Sequence, residues 1–133
     1  MTDRGFLDAW TPRLLSVLRI VVGLLYMEHG TSKLFHYPMD MGYIPLLSLI
    51  GLAGILEVFG GALVTLGLFT RPAAFILSGQ MAVGYFIAHA PHGFFPLLNH
   101  GEGAVFYCFV FLYFAAAGGG AWALDNLFGD RKS

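Results

Sequence analysis

Charge is scarce in this 133-residue chain: Asp, Glu, Lys and Arg together make up 11% of it. An ordinary soluble domain carries about 25%. Seven basic and eight acidic residues leave a formal net charge of -1. There is no basic block, so the electrostatic footprint needed for nucleic-acid binding is missing. Cysteine occurs once, at Cys108. A single thiol closes no internal disulfide and forms no CxxC pair, which excludes a self-contained dithiol relay. The HExxH and Cys/His ligand patterns are absent too, and no bound metal or intrinsic cofactor is expected.

What fills the chain is apolar surface. Hydrophobic residues make up 57%. A fold this small buries only about two-thirds of its surface, so a water-soluble core could not hide that much. Lipid is its natural solvent. A spanning helix needs about 20 mainly apolar residues, because in lipid the backbone must satisfy its own hydrogen bonds. Windows at residues 14–35, 44–69, 72–90 and 103–122 meet that need. Residues 2–13 mix Asp3, Arg4, Asp8 and Arg13 ahead of the first window, which does not read as a cleaved signal. The expected fold is all-α, an integral membrane four-helix bundle forming a single domain. The Thr70-Arg71-Pro72 connection is short enough to make the second and third helices antiparallel neighbours. Residues 91–102 form the longest loop, the candidate for a structured cap.

Lys and Arg orient the bundle. Arg4, Arg13, Arg71, Arg131 and Lys132 fall on one side, and only Lys33 on the other. Both termini are therefore expected in the cytoplasm, with the chain in the inner or plasma membrane. All five histidines (His29, His36, His89, His92 and His100) then lie at or near the outer face.

Ionisable groups inside spans are costly, at about 2.5–3.5 kcal/mol at mid-bilayer, and they favour a functional reading. The chain keeps Arg19, Glu28, His29, Lys33, Glu57 and Gln80 in its predicted spans, with Glu102 at the mouth of the fourth. On the first helix Arg19, Tyr26 and Lys33 recur every seven residues, with Gly23 and Gly30 beside them, and this stripe should face the bundle. Depth suggests an intramembrane Arg19–Glu57 ion pair and a Lys33–Glu102 pair nearer the outer edge. Such pairs either fix helix register or line a cavity for a polar headgroup or a proton path. The ligand-pocket candidates are Tyr26, His29, Lys33, Glu57, Gln80, His89 and Glu102, toward the outer half. Thirteen Phe, six Tyr and two Trp read mainly as belts and core. The many glycines of the second helix and the small run from Ala115 to Gly120 read as close-packing surfaces.

Several short pieces, in order, carry a resemblance. They are Arg19 with His29-Gly30 and Lys33-Leu34-Phe35, then Glu57, Gly60-Gly61 and Gly67-Leu68-Phe69-Thr70-Arg71. Gly79-Gln80-Met81-Ala82, Pro96-Leu97-Leu98-Asn99, Gly101-Glu102 and Gly120 with Trp122 and Leu124-Asp125 follow. Together they resemble the DoxX family of small four-helix membrane proteins over residues 14–127. Ala123 stands where that family commonly has Ser. The resemblance implies a membrane component of a quinone-linked oxidoreductase or of a thiol and oxidative-stress system, acting with a partner subunit or as a homo-oligomer. The possible ligand is quinone, with Gln80, His89, Lys33 and Tyr26 as donors, and a partner would bring the flavin, metal or thiols. The alternatives are a non-catalytic scaffold or assembly factor and, third, a proton-linked small-solute carrier.

Overall fold

The computed structural model describes residues 4–128, and all regular structure among them is helical. The elements are α1 (Arg4–Phe35), α2 (Leu49–Leu66), α3 (Thr70–Gly84), α4 (Pro96–Asn99) and α5 (Glu102–Ala117). A π-helical turn (Tyr85–His89) and a 3-10 turn (Ala90–His92) extend α3, and a 3-10 turn (Leu124–Phe128) closes the described chain. The side chain of Arg4, and Arg131 and Lys132, which entered the orientation argument, lie outside the described residues.

Local chemistry sets the helix ends. The helix α2 begins five residues later than the predicted span, because residues 45–48 form a turn. In it the Ser48 N–H and hydroxyl both donate to Pro45 O, at 3.1 and 2.6 Å. The Ser48 hydroxyl then caps the helix by accepting from Gly51 N at 3.1 Å. At its other end Gly67 takes a left-handed conformation (φ 73°), where a side chain would be strained. The start of α3 is capped from a distance. Phe69 N and Thr70 N donate to the two carboxylate oxygens of Asp125, at 2.7 and 3.1 Å. Pro91 prevents α3 from continuing as a regular helix, and the turn before it widens so that Ala90 N donates to Tyr85 O.

The helices α1, α2, α3 and α5 pack in that order around a core of Tyr26, Val64, Leu77, Phe111 and Phe114. The first contact is backbone against backbone. A Cβ added at Gly30 would sit 2.8 Å from Gly54 O and from Val58 N. Gly60 likewise receives Leu77, and Ser78 Oγ donates to Cys108 O at 2.7 Å to join α3 to α5. Rings close the circuit: Tyr26 meets Phe111 edge-on, centroids 4.9 Å apart. Outward, the same helices expose apolar side chains such as Phe59 (68%) and Phe106 (70%) along their length. A face of that extent belongs against lipid. Among the described residues three segments, Gly5–Phe35, Leu49–Leu66 and Thr70–His92, are long and apolar enough to cross a membrane. The apolar α5 is shorter, with 16 residues spanning about 24 Å.

Arg19 is fully buried and corrects one expectation. The Arg19–Glu57 pair does not form. Nε of Arg19 donates to Gly119 O (2.8 Å), Nη1 to Val64 O (2.8 Å) and Thr65 O (2.6 Å), and Nη2 to Trp122 O (3.4 Å). The reason is direction. Side chains on a helix lean toward its N-terminus, so Arg19 reaches away from the depth of Glu57. It reaches the C-terminal carbonyls of α2, where a helix lacks partners and favours a cation. Ser16 Oγ assists by donating to Gly119 O and accepting from Trp122 N, each at 2.9 Å.

Arg19→Met should therefore cost about 3 kcal/mol or more, since hydrogen bonds to charged groups contribute about 1.5–3 kcal/mol each. Arg19→Lys should recover only part of it, having a point charge but no fork. SDS-titration unfolding in detergent measures both; a wild-type midpoint for Arg19→Met would remove the anchor.

Candidate functional site

The same lean that carries Arg19 toward one end of the bundle brings Lys33 back toward its middle. Glu57, on the antiparallel α2, leans the opposite way, and the two converge. Lys33 Nζ lies 2.7 Å from Glu57 Oε1 and 2.9 Å from Oε2. Glu57 is 3% exposed, so this is a desolvated carboxylate held by a cation. An uncompensated charge there would be strongly destabilising.

Two more side chains extend the pair into a relay. Gln80 Nε2, from α3, donates to Glu57 Oε2 at 3.0 Å. Tyr26 OH, from α1, donates to Gln80 Oε1 at 2.6 Å. Lys33, Glu57, Gln80 and Tyr26 thus form one continuous hydrogen-bonded chain across three helices. Each group polarises the next in a low-dielectric setting.

The relay forms the polar wall of a cavity of about 640 Å³. Six of the seven candidate pocket residues line it: Tyr26, His29, Lys33, Glu57, Gln80 and His89. The seventh, Glu102, does not, and the expected Lys33–Glu102 pair does not form. Glu102 is exposed in the first turn of α5, where a carboxylate complements the helix dipole, and Lys33 is already taken by Glu57. The remaining walls are mainly apolar, from Leu49, Ile50 and Ala53 on α2, Val83, Gly84 and Ile87 on or after α3, and Ala104 on α5, with Tyr107 and His100 also at the lining. Ala53 and Gly84 lie four residues from Glu57 and Gln80, so helical periodicity already places them on the same faces. Tyr107 packs tilted against Tyr26 (5.0 Å, 58°) and meets His29 edge-on (5.8 Å). Its hydroxyl has no hydrogen-bond partner among the described residues.

A cap closes the end of the bundle beyond the cavity. Buried Asn99 organises it, a role the sequence reading did not single out. Its Nδ2 donates to Tyr85 OH (3.0 Å) and Gly93 O (2.9 Å), and its Oδ1 accepts from Gly101 N (2.8 Å). The signal was an Asn inside a Pro- and Gly-rich loop, where side chains substitute for missing backbone partners. The Asn99 carbonyl lies 3.1 Å from His89 Nδ1. A carbonyl only accepts, so Nδ1 carries the proton and Nε2 remains available to accept in the neutral ring. The other loop at this end turns on Asp40, which accepts from Gly42 N at 2.9 Å and faces His36 Nδ1 at 2.9 Å. That Gly42 N–H, followed by His36, holds the exposed Asp40 carboxyl below its usual range.

Among the described residues, no group of three or more His, Cys, Asp or Glu is placed to hold a metal ion.

Coupling between Lys33 and Glu57 should be measurable. Lys33→Met and Glu57→Leu should each lower stability in detergent by about 2–4 kcal/mol, and the double variant should lose clearly less than their sum. Arg19→Leu with Glu57→Leu should be additive, because those residues share no contact. Additive losses for Lys33 with Glu57 would break the relay account.

Comparison with known proteins bears on this arrangement. The DoxX family model matches residues 14–90, which carry Arg19, Lys33, Glu57, Gln80 and His89. A Haemophilus influenzae protein, described as an uncharacterized protein, is 47% identical over 131 residues, covering 92% of this chain and 96% of the relative. No solved structure matches the chain significantly. A family match over more than half the chain, joined to helices of membrane-spanning length and composition, places the protein in the DoxX family of membrane proteins.

Proposed function

We propose that this protein binds a lipid-soluble quinone in the relay-walled cavity and serves, with a partner subunit or a second copy, a quinone-linked oxidoreductase or thiol and oxidative-stress system. In this reading α5 is a fourth, short span, both termini face the cytoplasm, and the cavity lies in the outer half of the inner or plasma membrane. One observation carries it: a cavity of about 640 Å³ with a hydrogen-bonding wall on one side and aliphatic and aromatic walls elsewhere. Small-molecule sites have that makeup, mostly apolar with a few convergent polar groups.

The residues divide the work. Lys33 spends two of its three N–H donors on Glu57, and the third is available to a ligand carbonyl. The Tyr107 hydroxyl is a further donor at the wall, and His89 Nε2 is an acceptor there. Glu57 holds Lys33 in place, and Gln80 orients Glu57 while holding Tyr26. A bound quinone would supply two-electron redox chemistry, with reducing equivalents from the partner. A proton-linked carrier is the second reading, favoured by the unbroken relay from Lys33 to Tyr26.

Equilibrium binding of a decyl-tailed benzoquinone to the protein in lipid nanodiscs tests the proposal. The wild type should bind saturably. Gln80→Leu should weaken binding about ten-fold or more, equivalent to about 1.4 kcal/mol, while remaining folded and inserted. Absence of saturable binding by the wild type would sink the quinone reading and favour the carrier or a non-catalytic scaffold. Unchanged affinity in a folded Gln80→Leu would remove the relay from the site.

A further inference from the structure

The cavity has a side as well as a depth. Near the Arg19 end α2 and α3 touch closely, with Leu77 filling the space over Gly60. One turn on, they are bridged by Gln80, which donates to Glu57 and, at 3.5 Å, to Ala53 O. Beyond that bridge the α3 side leaves open space at Gly84. A Cβ added at Gly84 would meet nothing within 4 Å, although Gly84 lines the cavity. The residues flanking this gap are apolar and at least half exposed: Leu49 and Ile50 on α2, Val83 and Ile87 on the other side. All four line the cavity while also facing outward. Both flanking segments belong to helices long and apolar enough to cross a membrane. The gap therefore opens sideways onto the hydrocarbon.

From this we infer that the cavity takes a two-part amphiphile directly from the bilayer: a hydrogen-bond-accepting head against the free N–H of Lys33, and an apolar tail leaving between α2 and α3 past Gly84. The inference rests on the quinone reading for the head and adds the tail, its path and the lateral entry. The chemistry of the walls supports the division. Polar groups gather at the deep side, on Lys33, Glu57 and Gln80, whereas the gap offers only aliphatic side chains and a glycine. A free aqueous solute would gain nothing from an aliphatic exit, whereas a tail there keeps its contact with lipid. The competing route is axial, through the loop end, where Met41 and His100 also border the cavity.

Photo-crosslinking distinguishes the routes. The probe is a decyl-tailed benzoquinone with a diazirine at the tail end, used on the full chain in nanodiscs and mapped by peptide mass spectrometry. The expected result is labelling around residues 49–53 and 83–87, competed by the unlabelled decyl quinone. In Gly84→Leu that labelling should fall at least five-fold. This variant should fold, because Gly84 has ordinary helical backbone angles and open space at its Cβ. Competed labelling confined to the neighbourhoods of Met41 and His100 would overturn the lateral route and leave the quinone reading intact. No competed labelling anywhere would overturn both. Unchanged labelling in a folded Gly84→Leu would place the tail elsewhere.

Discussion

A guanidinium with no water around it must find oxygens. Arg19 finds them on segments far apart in the chain: the last turn of α2 and the stretch just after α5. That requirement fixes much of one end of the molecule. Gly67 is needed beside it, since a Cβ there would lie 3.0 Å from the guanidinium carbon, and Gly119 is needed against Ala123, whose Cβ would lie 2.5 Å from an added one. Ser16 and Asp125 then tie the same stretches to α1 and to the start of α3. Five N–H donors in a rigid fork suit several carbonyls, which a lysine could not replace.

With one end locked by a cation on carbonyls, the other is organised by a cation on a carboxylate. Lys33 and Glu57 neutralise each other, and Gln80 and Tyr26 use the remaining hydrogen-bonding capacity. The neutralised pair is not sealed in aliphatic packing. It faces a cavity that His89 and His100, beside the Asn99 cap, border at one end and that α2 and α3 leave open to the side. The structure thus separates two roles for intramembrane charge: one holds helices and termini together, and the other supplies a polar wall to a space large enough for a ligand.

Much of this was legible in residue types and spacing. Hydrophobic runs located the helices, and the seven-residue recurrence of Arg19, Tyr26 and Lys33 identified the inward stripe of α1. The depth of the polar residues brought six pocket candidates to one cavity. The ion pair was misassigned because sequence depth locates Cα atoms, whereas the partners are chosen where long side chains end. Arg19 and Lys33 both lean toward the start of α1, which takes one away from Glu57 and brings the other to it. Glu102 was grouped with the pocket by depth alone, although a helix N-terminus already favours a carboxylate facing outward. The ends of α2 were blurred because Pro45 and Gly67 sit in apolar surroundings, where hydropathy runs on through a backbone that has already turned. Asn99 was hidden for a different reason: its partners, Tyr85, Gly93 and Gly101, meet only once the cap has folded.

The central claim is that the bundle is tightly closed on the Arg19 side of Gln80 and open beyond it. Thiol accessibility tests this directly. With Cys108 replaced by Ser, single cysteines at Ala53, Gly84, Val64 and Leu77 would be exposed in native membranes to a small membrane-permeant maleimide. Ala53→Cys and Gly84→Cys should be alkylated readily, and Val64→Cys and Leu77→Cys only after denaturation in SDS. Equal protection of all four would contradict an open cavity, and equal reaction of all four would contradict the closed end.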